Sequence, residues 1–362
     1  MHLSVLFPGW WRYSCDAGIL AGGGTVNGRL DERCRSLVAE LGLGSRADVR
    51  SVRPLTGGVA SDIALVELGD KSICIKFALP KLKVAADWRA PVHRNAAEYA
   101  WLKFAADVAP ECAVRVLGHS EERHGFAMEH VSGDGVYLWK SALLSEAPDR
   151  GEARAVGNLL GRLHAASASA GFDRNGFDNG GDFLALRIEP YLNYTAQRHP
   201  ALAAPMKRMA EALHARQAVL IHGDASPKNV LFRTGNPILI DAECATMGDP
   251  SFDLAFCMNH LLLKAIHLHR ARAQCLAKVL EFWEAYEPHV TWEPVAEIEA
   301  RTCALLPMLF LARVDGKSPV EYLSEPEREV VRSLAQPLIK APTRSLQALV
   351  EILSNALREV AA

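Results

Sequence analysis

His222, Asp224 and Asn229 stand in the octet His222-Gly223-Asp224-Ala225-Ser226-Pro227-Lys228-Asn229, and Asp241 follows the apolar run at 237–240 shortly beyond it. This pattern puts a carboxylate and an amide oxygen on one short loop and a second carboxylate at the end of a neighbouring strand. A hydroxyl that attacks a phosphorus centre needs a proton acceptor, which suits Asp224. It also needs hard oxygen ligands for Mg²⁺, which suits Asn229 and Asp241. Three fixed residues are a weak signal in a chain of 362, and the octet alone is equally a solvated turn with Asp224 as a helix cap.

The residues upstream change that balance. Lys76 lies mid-strand between Ile75 and Phe77, where a buried ammonium without a partner costs several kcal/mol. Glu98, on the helix that follows, offers a carboxylate, and a nucleotide offers phosphates. Ahead of Lys76, the segment 55–62 carries Thr56-Gly57-Gly58, a hairpin whose backbone N–H groups are able to cover a phosphate, although a Gly-Gly hairpin alone is usually only a turn. What matters is the order: glycine hairpin, strand lysine, helix glutamate, HxDxxxxN, then an aspartate at a strand end. That is the order of parts in a kinase.

The elements that must hold these residues are legible from periodicity. Residues 49–55, 63–68 and 72–77 read as three strands, 94–106 as a helix, and 113–117 and 125–131 as two further strands. Beyond Ser132-Gly133 the texture turns helical, with helices expected at 153–168, 182–197, 203–216, 252–268, 271–287, 293–314, 325–336 and 344–360. Three short strand-like runs, 218–221, 230–232 and 237–240, interrupt them and flank the polar loop. Residues 1–45 precede all of this; 22–24 reads as a loop, and Leu30, Cys34, Leu37, Val38 and Leu41 have helical spacing.

Composition narrows the class. With 49% hydrophobic and 23% charged residues, the chain is globular, and its length suits two lobes. Lys plus Arg total 40 against 42 for Asp plus Glu, a net charge of −2, which argues against a nucleic-acid or membrane-surface partner. Apolar runs are shorter than a membrane span needs, and the N-terminus lacks the basic region of a signal peptide. The eight cysteines form no C-x-x-C pair and read as small hydrophobes in a reducing compartment. A cytoplasmic protein, monomeric or homodimeric, is the expectation. His260, His267 and His269 lack the i, i+4 spacing of a metal pair and read as core and surface histidines.

HGDASPKNVLF, ILIDAE and GDPSFDLAF together resemble the aminoglycoside phosphotransferase and choline kinase superfamily of protein-kinase-like small-molecule kinases, over roughly residues 50–315. Ile75-Lys76, Leu79-Pro80, Trp88, Pro91, Arg94 and Glu98, with Asp241-Ala242-Glu243, are similar to methylthioribose kinase. The TGGVASD loop and Asn229 depart from that kinase, and Asn229 points to the aminoglycoside pattern. The resemblance implies an α+β, bilobal protein-kinase-like fold: an N-lobe (46–131) with a small antiparallel sheet and one main helix, then a larger, mostly helical C-lobe (132–362). It implies ATP and Mg²⁺ as cofactors. Asp224 would be the catalytic base, with His222 and Asp253 bracing its loop; Lys228 would contact the γ-phosphate or else be a solvated loop lysine. Asn229, Asp241 and Glu243 would hold the metal. Lys76, paired with Glu98, would bind the α/β-phosphates, with Ser61 and the backbone of Gly57 and Gly58 over them. Met128, Glu129, His130 and Val131 would form the hinge to adenine. Arg313 and Asp315, closing a long apolar helix, would face the acceptor; a helix-end arginine is equally a capping residue.

The expected reaction is phosphorylation of a hydroxyl on a small molecule, first a neutral, sugar-like alcohol of the methylthioribose kind. An aminoglycoside or amino alcohol is the alternative, with Asp173, Asp178, Asp182 and Glu189 as its acidic groove. An ATP-binding regulatory pseudokinase is the rival of another class, set against the presence of Lys76, Glu98, Asp224, Asn229 and Asp241 together.

Overall fold

The computed structural model describes residues 23–55, 61–81, 83 and 91–359, with side chains from residue 28 onward. The described residues form two compact units. One comprises those up to Tyr99 together with Val114–Ser132; the other comprises Ala100–Ala113 and the residues from Gly133 on.

The first unit is built on a five-stranded antiparallel sheet. Helix α1 (Gly23–Glu40) precedes β1 (Val49–Leu55), β2 (Ser61–Leu68) and β3 (Lys71–Ala78); helix α2 (Arg94–Val108) begins in this unit, and β4 (Val116–Ser120) and β5 (Gly125–Glu129) complete the sheet in the order β1-β2-β3-β5-β4. Strand β3 is buried along most of its length, and its alternation explains how. Ile73, Ile75 and Phe77 share one face and pack with Leu30, Cys34, Leu37 and Val38 of α1, whose spacing puts those four side chains on one stripe of the helix. Cys74 and Lys76 therefore face the opposite side. Gly23 and Gly24, expected in a loop, open α1 instead. The strand expected at 113–117 begins at Val116, because Pro110–Cys112 forms a short 3₁₀ turn ahead of it.

In the second unit, β6 (Tyr137–Leu138) leads into α3 (Trp139–Leu144) and α4 (Glu152–Ser167). Helix α5 (Gly180–Phe183) runs through wider, π-type turns at Leu184–Asn193 into α6 (Tyr194–Arg198), followed by α7 (Ala203–Ala215). Four short strands come next, β7 (Val219–Ile221), β8 (Val230–Arg233), β9 (Asn236–Leu239) and β10 (Thr246–Gly248), and five helices complete the unit: α8 (Pro250–His267), α9 (Arg272–Tyr286), α10 (Val295–Asp315), α11 (Glu325–Lys340) and α12 (Leu346–Glu359). Strand β7 pairs with β10, and β6, β8 and β9 form a second small sheet. The polar octet thus connects β7 to β8, and the Asp241 segment connects β9 to β10. Both loops are hung between buried strands. Helix α8 starts sharply, with Asp249 as N-cap accepting from the Ser251 N–H at 2.9 Å and Pro250 in the first turn. It is buried from Pro250 to Ile266.

Among the described residues no helix is long and apolar enough to cross a membrane. All seven described cysteines are buried and free; Cys15 lies outside the described residues.

Candidate active site

In the first unit, Lys76 and Glu98 meet. The β3 register puts Lys76 opposite Ile63 of β2 and Phe126 of β5, on the face away from α1. Its Nζ lies 2.7 Å from the Glu98 carboxylate, with both side chains no more than 3% exposed. A dry pair of this kind holds each charge in place at little net gain in stability, and loss of either partner strands the other. Ser61, at the start of β2, is buried, and its carbonyl accepts from Lys83 Nζ at 3.1 Å. Lys83 also pairs with Asp62 at 3.0 Å. Met128 and Glu129 end β5 opposite Cys74 and Ile73; His130 and Val131 follow outside regular structure, partly exposed. Gly57 and Gly58 lie outside the described residues, as does Trp88.

In the second unit, the octet is braced from beneath. Asp253, in the first turn of α8, accepts from the backbone N–H of His222 at 2.6 Å and of Gly223 at 2.9 Å. His164 of α4 reaches the same carboxylate at 3.3 Å and Tyr286 of α9 at 3.0 Å. The His222 ring has its own fixed task. Its Nδ1 accepts from the Asp224 N–H at 3.1 Å, which leaves Nε2–H to donate to the Ile240 carbonyl at 3.1 Å. Burial pushes its pKa down despite the carboxylates around it, so the imidazole is a neutral strut joining the two loops. The Trp101 ring packs against it in a T-shaped arrangement, ring centres 4.8 Å apart. Gly223 turns the chain at φ +75°, and a Cβ there would stand 2.6 Å from the Cys244 carbonyl oxygen, so only glycine fits.

Asp224 emerges from this frame as a paired carboxylate. Arg187, from the π-type turns, approaches one oxygen at 3.1 Å and Lys228 at 3.0 Å. Burial would raise the Asp224 pKa, but Lys228 and Arg187 outweigh it and hold the carboxyl below its usual range, with Asp241 opposing them. Arg187 also donates through Nε to the Gly223 carbonyl at 2.6 Å, so it fixes both the loop and the carboxylate. Lys228 is 45% exposed where Asp224 is 4% exposed. Partial desolvation works against its charge, but Asp224 and then Asp241 raise its pKa. Asn229 donates from Nδ2 to the Asp224 carbonyl at 3.0 Å. Asp241 adopts φ +69°, a left-handed conformation that Asp tolerates and that is often found at functional sites. Glu243 is buried two residues on.

Among the described residues no group of three or more His, Cys, Asp or Glu forms a ready metal cage. Mg²⁺ does not ask for one: it takes one or two carboxylates and completes its shell with water and phosphate. Asp241 close enough to act on both Asp224 and Lys228, with the Asn229 amide on the same loop, is a donor set that fits this ion.

Arg313 and Asp315 have different surroundings. Asp315 is committed to structure: Arg332 and His199 bind its carboxylate at 3.1 and 2.8 Å. Arg313 donates through Nη1 to Tyr191 and to Ser318, each at 3.1 Å. Asp173, Asp178 and Glu189 are exposed to solvent, while Asp182 is buried. Reading the sequence alone misses Arg187 and His164. The signal for Arg187 was present: one arginine within the apolar run 183–192 needs a buried partner, as Lys76 does.

The profile of a phosphotransferase enzyme family matches residues 51–298. A methylthioribose kinase of Bacillus cereus is 22% identical over 270 residues, 63% of this chain and 68% of that protein. Among solved structures, an amicoumacin kinase in complex with AMP-PNP, Ca²⁺ and Ami superposes with a TM-score of 0.54 at 13% identity, over 88% of this chain and 97% of that one. The ethanolamine kinase of Plasmodium vivax gives 0.53 at 10% identity, over 85% and 89%. These folds are kinase-like.

Proposed function

Since the chain belongs to this phosphotransferase enzyme family and is a small-molecule kinase, we propose that it transfers the γ-phosphoryl group of ATP to a hydroxyl of a sugar-like alcohol. The observation that carries the reading is the Asp224 carboxylate, buried, held ionised by Lys228 and Arg187, and mounted on a loop that Asp253 and His222 keep rigid. An ionised carboxylate in that position accepts a hydrogen bond from an alcohol and aims its oxygen; it takes up the proton as the new P–O bond forms. Phosphoryl transfer is loose, so positioning and charge do most of the work.

Asn229 Oδ1, Asp241 and, beside them, Glu243 would hold Mg²⁺, which when bound neutralises charge on the phosphate oxygens. Lys228, the most exposed member of the cluster, would exchange its Asp224 contact for a phosphate oxygen. Lys76, oriented by Glu98, would hold the α/β-phosphates. Similarity to a methylthioribose kinase supports the choice of acceptor. A screen of ATP consumption over sugar-like alcohols, amino alcohols and aminoglycosides tests it. Consumption with a sugar-like alcohol, lost in Asp224→Asn, is the expected result; consumption only with aminoglycosides or amino alcohols would replace it.

A further inference from the structure

Helix α8 carries Phe256, His260 and Lys264 at i, i+4 spacing on one face, and other elements add basic groups beside them. The His260 ring packs edge-on against Phe256 at 5.7 Å, Phe256 against Tyr191 at 5.4 Å, and the Tyr191 hydroxyl binds Arg313. Lys264 Nζ lies 5.2 Å from the Tyr322 ring centre, and Lys140 of α3 pairs with Glu321 next to it. These groups are deeply buried: Arg313 is 8% exposed, His260 6% and Lys264 1%. Yet Arg313 Nε, His260 Nε2 and the Tyr322 hydroxyl have no hydrogen-bond partner among the described residues, and the Lys264 ammonium has only the His260 carbonyl at 3.4 Å.

Buried polar groups are nearly always satisfied, and each exception needs a reason. Here several exceptions converge, and all are able to donate a hydrogen bond. Glu321, the carboxylate that acts on both Lys264 and Arg313, is already engaged by Lys140. Burial and then Lys140 lower the Lys264 pKa to about 7, and burial, Arg313, Lys264 and Lys228 drive that of His260 well down. The last contribution ties the cluster to the octet, since Lys228 also touches Asp224. The π-type turns make the same link through Arg187 on Asp224 and Tyr191 on Arg313.

We propose that the acceptor alcohol carries an anionic group, a carboxylate or a phosphate ester, and that Arg313, His260 and Lys264 bind that group while Asp224 receives the hydroxyl. The inference rests on the kinase reading above and adds the charge of the substrate to it. A planar guanidinium with a free Nε–H next to an imidazole and an ammonium matches the acceptor oxygens of such an anion. A polycationic or quaternary-amine acceptor would meet the Arg313 guanidinium and a set of hydrogen-bond donors that it cannot satisfy.

The test is a panel of sugar acids and sugar phosphates, each set beside its neutral parent alcohol, with amino sugars as the cationic arm, read as kcat/KM with ATP. The acidic members should exceed their parents by about 10–100-fold, the range of one or two charged hydrogen bonds. Whether carboxylates or phosphates lead identifies the anion. In Arg313→Gln the advantage of acid over parent should shrink by about tenfold or more, with the parent alcohol far less affected. Should that variant fail to fold, Lys264→Met gives the same comparison. Neutral or amino sugars preferred over every acid would overturn the inference and leave the kinase reading intact. So would ATP binding with no acid consumed. If the protein does not bind ATP, the kinase reading fails instead, and calorimetry with ribose 5-phosphate alone decides the anion site; no heat of binding ends it.

Discussion

A carboxylate that orients a hydroxyl must be ionised at working pH, and at Asp224 burial alone would oppose this. Lys228 and Arg187 reverse the balance. Replacing Asp224 with Asn keeps the shape and removes the proton acceptor, so kcat should fall by roughly 10²–10⁴-fold while ATP still binds; near-normal turnover would remove the residue from the reaction. Because its pKa is depressed, the acid limb of the kcat profile should lie below the ordinary carboxylate value of about 3.9. Lys228→Met withdraws one of the two cations and should move that limb to higher pH; an unmoved limb would show that Lys228 does not hold the charge. The same depression contributes folding stability that is present above the unfolded pKa and is lost as pH falls through the folded one. Asp241 tests the metal separately. Asp241→Ala should abolish the tightening of ATP binding by Mg²⁺ seen by calorimetry, and equal tightening in the variant would move the ion elsewhere.

Elements decide which of these side chains meet. Lys76 and Glu98 sit on β3 and α2, and their 2.7 Å contact depends on strand alternation turning Lys76 away from α1. Lys76→Ala should weaken kcat/KM for ATP strongly and Glu98→Ala less so. The double variant should lose less than the sum, because one charge orients the other; additive losses would mean the pair does not act as a unit. Gly223→Ala should cost about 1–3 kcal/mol through its positive φ and the close Cys244 carbonyl, read as a lower Tm together with lost turnover. The sequence makes the Lys76–Glu98 pair legible, because a lysine amid apolar strand residues demands a partner and the next helix offers one. The five-stranded sheet, the order of the longer helices and both loops follow from period and turn chemistry in the same way, whereas β6, α3 and β10 are too short to show a period. Arg187 signals that it needs a partner, but nothing local in residues 183–192 says that its charge reaches Asp224. His260 gives no such signal. A lone histidine on an apolar helix face is usually satisfied in the core, and only the arrangement of α8 with Tyr191, Arg313 and Tyr322 shows that its Nε2 is not.

At the scale of the whole molecule, α1 matters most for where the first unit begins. Its residues precede every part with a kinase-like role, and sequence reasoning leaves them as an extension. Leu30, Leu37 and Val38 are nonetheless 8%, 0% and 0% exposed, and they close the sheet face formed by Ile73, Ile75 and Phe77. Burying one such side chain contributes about 1.5–3 kcal/mol, while a domain as a whole is stable by about 5–15 kcal/mol. Three aliphatic side chains are therefore comparable with the net stability of the unit, before the newly exposed strand residues are counted. Arg35 adds a second tie, donating to the carbonyls of Arg46 and Val49 at 2.8 Å, so the helix also fixes the entry to β1. Two truncations separate the possibilities. A chain starting at residue 29 keeps all three aliphatic residues and should retain most of its turnover and a single cooperative melting transition. A chain starting at residue 45 exposes one face of β3, and because Lys76 is held by the other face of the same strand, ATP binding should fail along with the fold. Turnover and Tm measured on both would show it; a folded, active chain lacking α1 would mean that the sheet face finds other cover and that the helix is dispensable.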